Sequence, residues 1–222
     1  MLAGPTLAIE RGLVDFSSGE PAPEPIQLDF ESLRAHSREA HEITGAPKIT
    51  PVGQAREVMR VSIDGESRPI WVVPTAEGGF CMRMHFMGTC RIPGHSDGVP
   101  FGGGGLNNPG GEGWSVLAGL VLDPRVEEVV LVYQDGERAV LPYVWVSPPI
   151  DAGFYAYEVP DEHRERGRLT AVVLGLDEEG APAQTQCLPL SPEASEQSVP
   201  DVRELCPPRP RRDEGVRRST TP

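Results

Sequence analysis

Between Glu57 and Leu188 apolar and polar residues alternate mostly at period two, the repeat of a half-buried β-strand. Glu57–Ile63, the turn Asp64-Gly65 and Arg68–Val73 predict a β-hairpin, because an Asp-Gly pair supplies the left-handed backbone of a two-residue turn. The layout returns twice. Glu127–Tyr133, the turn Gln134–Glu137 and Ala139–Ser147 form a second copy, and Leu169–Leu176, the turn Asp177–Gly180 and Ala183–Leu188 a third. Gly153–Val159 reads as a further strand between them. Val129–Tyr133 is apolar throughout, so it is expected inside a sheet. Pro69 and Pro142 cannot donate a ladder hydrogen bond, which places them at edges or bulges. Short strands with a turn signal every ~8–12 residues predict a mainly β protein with an immunoglobulin-like β-sandwich over 114–190.

One stretch has the helical period instead. Phe30, Leu33 and Ala40 make an apolar stripe, Asp29 is placed to cap its start, and Gly45 with Pro47 ends it, so one short N-terminal helix is expected. His36 and His41 lie on it about 140° apart around the axis, too far round to share a ligand, and read as surface residues. Residues 1–27 are punctuated by Pro and Gly and predict an extended segment, with Pro21-Ala22-Pro23-Glu24-Pro25 as a semi-rigid connector. Residues 28–91 then hold the helix and a small β unit. From 92 to 113 no apolar period survives; Gly102–Gly105 and Asn107–Gly111 make a loop longer than most, of the kind that carries function. The 114–190 sandwich follows, and 191–222 reads as a disordered tail.

Charge narrows the partners. The 222 residues carry a net −13, which argues against nucleic acid because its phosphates would be repelled. Residues 203–222 run the other way, with six arginines against three acids, and read as a solvated basic end. Lys48 is the single lysine beside nineteen arginines, a bias of a GC-rich genome rather than of mechanism. No apolar run is long enough to span a bilayer, so no transmembrane segment is expected within the chain. Met1–Glu10 lacks the basic and apolar regions of a signal peptide, yet reads as the trailing edge of a hydrophobic segment that would anchor the chain from upstream.

Candidate chemistry concentrates in Gly78–Cys90. At period two Phe80, Met82, Met84 and Phe86 share one face, a core stripe, while Cys81, Arg83, His85 and Met87 share the other. A Cys81–Cys90 disulfide would staple the base of the 92–113 loop and stabilise by roughly 2–3 kcal/mol. Zinc is the alternative: Cys81, His85, Cys90 and His95 supply two thiolates and two imidazoles, a tetrahedral set, ahead of a soft Cu(I) site on Met87 and His85. A strand holds residues 81 and 85 about 13 Å apart, whereas two bonds to one zinc span only about 4 Å, so the strand would have to break at Met84. Cys187 and Cys206 could pair and tie the tail back, although spacing alone leaves three connectivities open for four cysteines.

Other motifs fall short of chemistry. The tetraglycine has no Gly-Lys-Ser/Thr ending and no following helix, Ser115 is not in a nucleophile elbow, and His163 reads as part of a solvated turn. Asp151, Glu158, Asp161 and Glu162 flank one strand and read as a surface acid cluster. No catalytic constellation emerges.

Three stretches together carry a resemblance: Gly12–Phe16 with Pro21–Pro25; Ile70–Thr75 leading into Gly78–Cys81 and Cys90; and Gly119-Leu120-Val121 with the Asp135-Gly136 turn and Gly153-Phe154-Tyr155. Over about residues 10–190 the chain resembles uncharacterised envelope-associated proteins of high-GC actinobacteria, in which one N-terminal membrane segment precedes a β-rich extracytoplasmic part. The chain departs from them in lacking that segment. The resemblance implies an extracytoplasmic location and no reaction. The expectation is therefore a non-catalytic module binding a protein, glycan or small ligand through the 92–113 loop. A zinc-dependent protein and a purely structural spacer are the alternatives.

Overall fold

The computed structural model describes residues 12–63, 65–84, 87–93, 116–165, 169–188, 190 and 192–207. In chain order the elements are β1 (Gly12–Val14), a 3-10 turn (Phe16–Ser18), α1 (Glu24–Thr44), β2 (Arg56–Ile63), β3 (Glu66–Pro74), β4 (Phe80–Met84), β5 (Met87–Arg91), β6 (Val116–Val121), β7 (Glu128–Tyr133), β8 (Arg138–Leu141), β9 (Tyr143–Val146), β10 (Ala152–Glu158), α2 (Asp161–Glu165), β11 (Thr170–Leu176), β12 (Pro182–Cys187), α3 (Pro192–Gln197) and α4 (Pro200–Leu205). Among the described residues the strands make three four-stranded sheets: β2-β3-β4-β5, β1-β9-β10-β6 and β12-β11-β7-β8.

The three sheets stack. Alternate residues of the middle sheet face opposite ways, and both sets are apolar. Val116, Ala118, Leu120, Val146, Phe154 and Ala156 meet Val61, Ile70, Val72, Phe80 and Met84 of the N-terminal sheet. Leu117, Val121, Tyr143, Trp145 and Tyr155 meet Val129, Leu131, Tyr133, Leu141 and Val173 of the C-terminal sheet. Helices cover the two outer faces. Ile26, Phe30 and Leu33 of α1 lie on Trp71, Val73 and Cys81, while Val199, Val202 and Leu205 lie on Val130, Val132, Val172, Leu174 and Leu176. The order of layers is helix, sheet, sheet, sheet, helix.

The fold is mainly β and sandwich-like, as the alternation predicts, and each predicted hairpin is present with shifts of a residue or two. The second hairpin is split at Pro142, where the chain leaves β8 in the C-terminal sheet and enters β9 in the middle one. Pro69 precedes Ile70, the first β3 residue paired with β4, so its missing N–H falls outside that ladder. Pairing among strands after 116 differs from the immunoglobulin order, in which the second strand lies between the first and fifth. Here β7, the second of these strands, lies between β8 and β11, the third and sixth.

Three expectations are corrected. First, the N-terminal segment is not extended to residue 27, and the helix is not short: α1 runs 21 residues from Glu24. The Pro23 carbonyl accepts from the N–H groups of Ile26 and Gln27, and a proline in the first turn loses no helical bond. Asp29 therefore sits inside the helix and pairs with Arg83 at 2.9 Å instead of capping. Gly45 ends the helix in the left-handed conformation. Second, Ala40 is exposed, and the half-buried stripe continues past Leu33 through Ser37 and His41, which bond the returning chain at Ile49 N–H and Ala46 O. Third, residues 192–205 of the expected disordered tail form α3 and α4. Val202, only 2% exposed, provides the apolar anchor that disorder would lack. Tail residues 208–222 lie outside the described residues, as do 1–11.

Gly119 shows how closely β6 and β10 pack within the middle sheet. A Cβ there would stand 2.3 Å from the Tyr155 hydroxyl oxygen, so the tyrosine ring occupies the space that a side chain on β6 would need. Gly119→Ala is expected to destabilise the protein by about 1–3 kcal/mol through overpacking, read as a lower urea midpoint with an unchanged m-value.

Candidate functional site

The stapled base of the 92–113 loop is built by β4 and β5. In their antiparallel register Cys81 stands directly opposite Cys90, and the two sulfurs are joined. Cys81 is fully buried under α1 beside Trp71, Val73 and Phe30, whereas Cys90 is half-buried. The alternation read from the sequence holds: Phe80, Met82 and Met84 face the inter-sheet core, and Cys81 faces the helix. Before β4 the chain turns so tightly that a Cβ on Gly79 would meet the Arg91 carbonyl at 1.8 Å. Thr75 holds the turn, its N–H donating to Gly79 O and its hydroxyl accepting from Gly79 N–H. Glu77 accepts from Thr50 N–H at 3.0 Å; desolvation raises its pKa, but the hydrogen bonds on its carboxylate outweigh this and leave it lowered. Ile92, buried directly after β5, completes the base.

Zinc loses its thiolates here. With Cys81 and Cys90 bonded to each other, two of the four ligands in the alternative set cannot bind metal as thiolates. The other two, His85 and His95, lie outside the described residues, as do Phe86, the Met87 side chain and positions 94–115 with Ser115. Among the described residues no three His, Cys, Asp or Glu side chains converge as a metal site. Cys187 and Cys206 form the second disulfide, which ties α4 to β12. No cysteine is free.

Asp151 stands apart from the other acids of the expected cluster. Asp151 precedes β10 and Glu158 ends it, which separates them by roughly 20 Å along the strand. Asp151 adopts φ 47° and accepts from Trp145 Nε1 at 3.3 Å. Asp161 and Glu162 open α2. His163 is not in a solvated turn: it is half-buried on α2, its Nδ1 2.8 Å from the Tyr133 hydroxyl and its ring edge-on to Tyr133 at 5.0 Å.

Two glutamines escaped sequence reasoning. Gln184 and Gln186 share a face of β12, and both amides reach the middle sheet. Gln184 Nε2 donates to Leu120 O and its Oε1 accepts from Leu122 N–H, both at 2.8 Å, so one side-chain amide pairs the outer edge of β6 as a strand would. Gln186 Oε1 accepts from the Tyr155 hydroxyl at 2.8 Å in the sandwich interior. Burial pushes the Tyr155 phenol well above its ordinary pKa, which keeps it a neutral donor rather than an acid or base. The available signal was the spacing Gln-Thr-Gln in a strand whose apolar face is otherwise incomplete.

Charged groups elsewhere pair locally. Asp123 is lowered to about 2, first by the Arg125 side chain and then by the Arg125 N–H. Asp15 is held below the usual carboxylate range by the N–H and hydroxyl of Ser17, with a further bond from Ser147. Such acids are poor proton acceptors near neutrality. Comparison with protein-family models, curated proteins and solved structures finds no match.

Gln184→Ala is expected to lower stability by about 1–2 kcal/mol, since Leu120 O and Leu122 N–H lose their partner together; the denaturant midpoint reads it. A second expectation concerns acid. A carboxylate whose folded pKa is depressed stabilises above its unfolded pKa of ~3.9 and loses that contribution as pH falls toward the folded value of about 2. Between pH 5 and pH 2 Asp123→Asn should therefore lose less stability than the parent, measured by urea unfolding at each pH.

Proposed function

We propose that this chain is an extracytoplasmic, non-catalytic β module that binds a partner through the 92–113 loop and its stapled base. One observation carries the location: all four cysteines are paired, in two disulfides on opposite outer faces of the fold. Disulfides form and persist in oxidising compartments and are rare where thiol buffers act. The sequence resemblance to envelope-associated actinobacterial proteins supports the same location. Among the described residues no helix is long and apolar enough to cross a membrane.

Support for binding rather than catalysis comes from what the polar groups do. Gln184, Gln186, Tyr155, Thr75 and Ser37 each hold the fold together, and the depressed acids Asp15 and Asp123 are tied to their own neighbours. A long loop fastened to a rigid scaffold is the usual site of recognition. Its sequence, rich in glycine with His95, Asp97, Asn107 and Asn108, offers adaptable hydrogen bonding suited to a protein or glycan surface.

Protein isolated from its native source without reductant, then alkylated in denaturant with chelator, should take up no alkyl groups by intact mass. Four added groups would overturn the location. Replacing 94–113 by a short Gly/Ser linker should preserve the thermal midpoint and abolish retention on isolated envelope material. Undiminished retention would assign the binding elsewhere, and no retention by the parent would favour a spacer.

A further inference from the structure

The two disulfides differ in what they hold and in who can reach them. Cys81 is 0% exposed, beneath a 21-residue helix anchored by Phe30 and by the Arg83–Asp29 pair. Cys187 is exposed on β12 and Cys206 is half-buried just beyond α4. This second bond fastens residues 192–205, in which Ala194, Ser198 and Val202 are buried. Two six-residue helices cover the outer face of the C-terminal sheet through Val199, Val202 and Leu205. One backbone bond, Val199 N–H to Gln134 O at 2.9 Å, joins the pair to β7's end. Helices this short do not persist without tertiary support. Beneath them lie Val130, Val132, Val172, Leu174 and Leu176, an apolar face against which Leu190 and Cys206 also pack. The cover is also imperfect at its margin, where Gln134 Oε1 is buried with no partner among those residues.

We propose that residues 192–205 are a disulfide-latched cap, which a protein dithiol releases by reducing Cys187–Cys206 while Cys81–Cys90 stays intact. The reductant's thiolate attacks the exposed Cys187 sulfur, forming a mixed disulfide and expelling Cys206 as a thiolate, which takes up a proton. The reductant's second thiol loses its proton and attacks its own sulfur in the mixed disulfide, releasing Cys187 as a thiol. Two electrons pass to the protein, and the reductant leaves as a disulfide. With the covalent tether gone, the cap is held by noncovalent packing alone, and the apolar face of the C-terminal sheet becomes accessible. The buried staple under α1 keeps the other layers in place, so opening is confined to one face.

The test uses the whole protein under native conditions with dithiothreitol as the dithiol and iodoacetamide as the trap. Peptide mapping should find Cys187 and Cys206 labelled at least ~10-fold faster than Cys81 and Cys90. Tryptic cleavage after Arg203 and fluorescence of an apolar dye should rise on the same time course. Equal labelling rates for the two pairs would overturn the proposal. So would selective labelling with neither faster cleavage nor added dye binding, because the cap would then stay closed without its latch. The double variant Cys187→Ser with Cys206→Ser should show the open behaviour before any dithiol is added. If that variant fails to fold, reduction of the pre-folded parent still decides the matter.

Discussion

Everything in this molecule follows from a middle sheet that is apolar on both faces. A sheet with one apolar face needs one partner, and a sheet with two must be enclosed. In β6 all six residues are buried, and in β10 the first five are. The N-terminal and C-terminal sheets are the two enclosing layers, but each then has an outer face of its own to cover. Trp71, Val73 and Cys81 project from one, and Val130, Val172 and Leu174 from the other. Helix α1 and the α3–α4 pair end the series because a helix can be apolar on one stripe and polar around the remainder. The five layers are the shortest stack that satisfies those constraints in turn.

Edges pose the second problem, and the chain treats each differently. The β9 edge of the middle sheet is taken up by β1, a three-residue parallel addition from the far N-terminal side. The β6 edge is met by the Gln184 amide, which offers the same donor and acceptor as a peptide group without continuing as a strand. The β2 edge receives residues 20–22, with Glu57 N–H donating to Glu20 O and Ala22 N–H to Ala55 O. Short or side-chain partners satisfy the edge while leaving little exposed ladder for another molecule to extend.

The period-two pattern made most strands and the hairpin turns legible and the Cys81–Cys90 bond expected, but it ran Phe80–Met87 as one strand, where β4 ends at Met84 and Met87 opens β5 beside it. What it could not show is which face meets which layer. Phe80, Met82 and Met84 read as core from their spacing, but that their core is shared with Phe154 depends on contacts about seventy residues away. The Pro-rich start of α1 misled for a local reason: prolines that look like an extended connector also fit a helical first turn, and only the Phe30 burial beneath distinguishes the two. Residues 192–205 were hidden similarly. Their apolar residues are few and widely spaced, so their order comes from the sheet below and the disulfide rather than from any local preference.

That dependence bears on what the disulfides are for. The interior layers need no covalent help, since Leu117, Leu131, Val146 and Phe154 are already wholly removed from solvent. Both sulfur bridges lie instead in the outer layers, where burial alone is thin: one joins adjacent strands at the foot of the 92–113 loop, and the other holds a cap of two short helices. A cross-link between strands already paired adds little to the order of the sheet, but it fixes β5, which leads into residue 92, against β4 beneath α1. A bridge between a sheet and a weakly held cap acts on the other limb of the same principle, since it makes the closed state depend on one exposed bond.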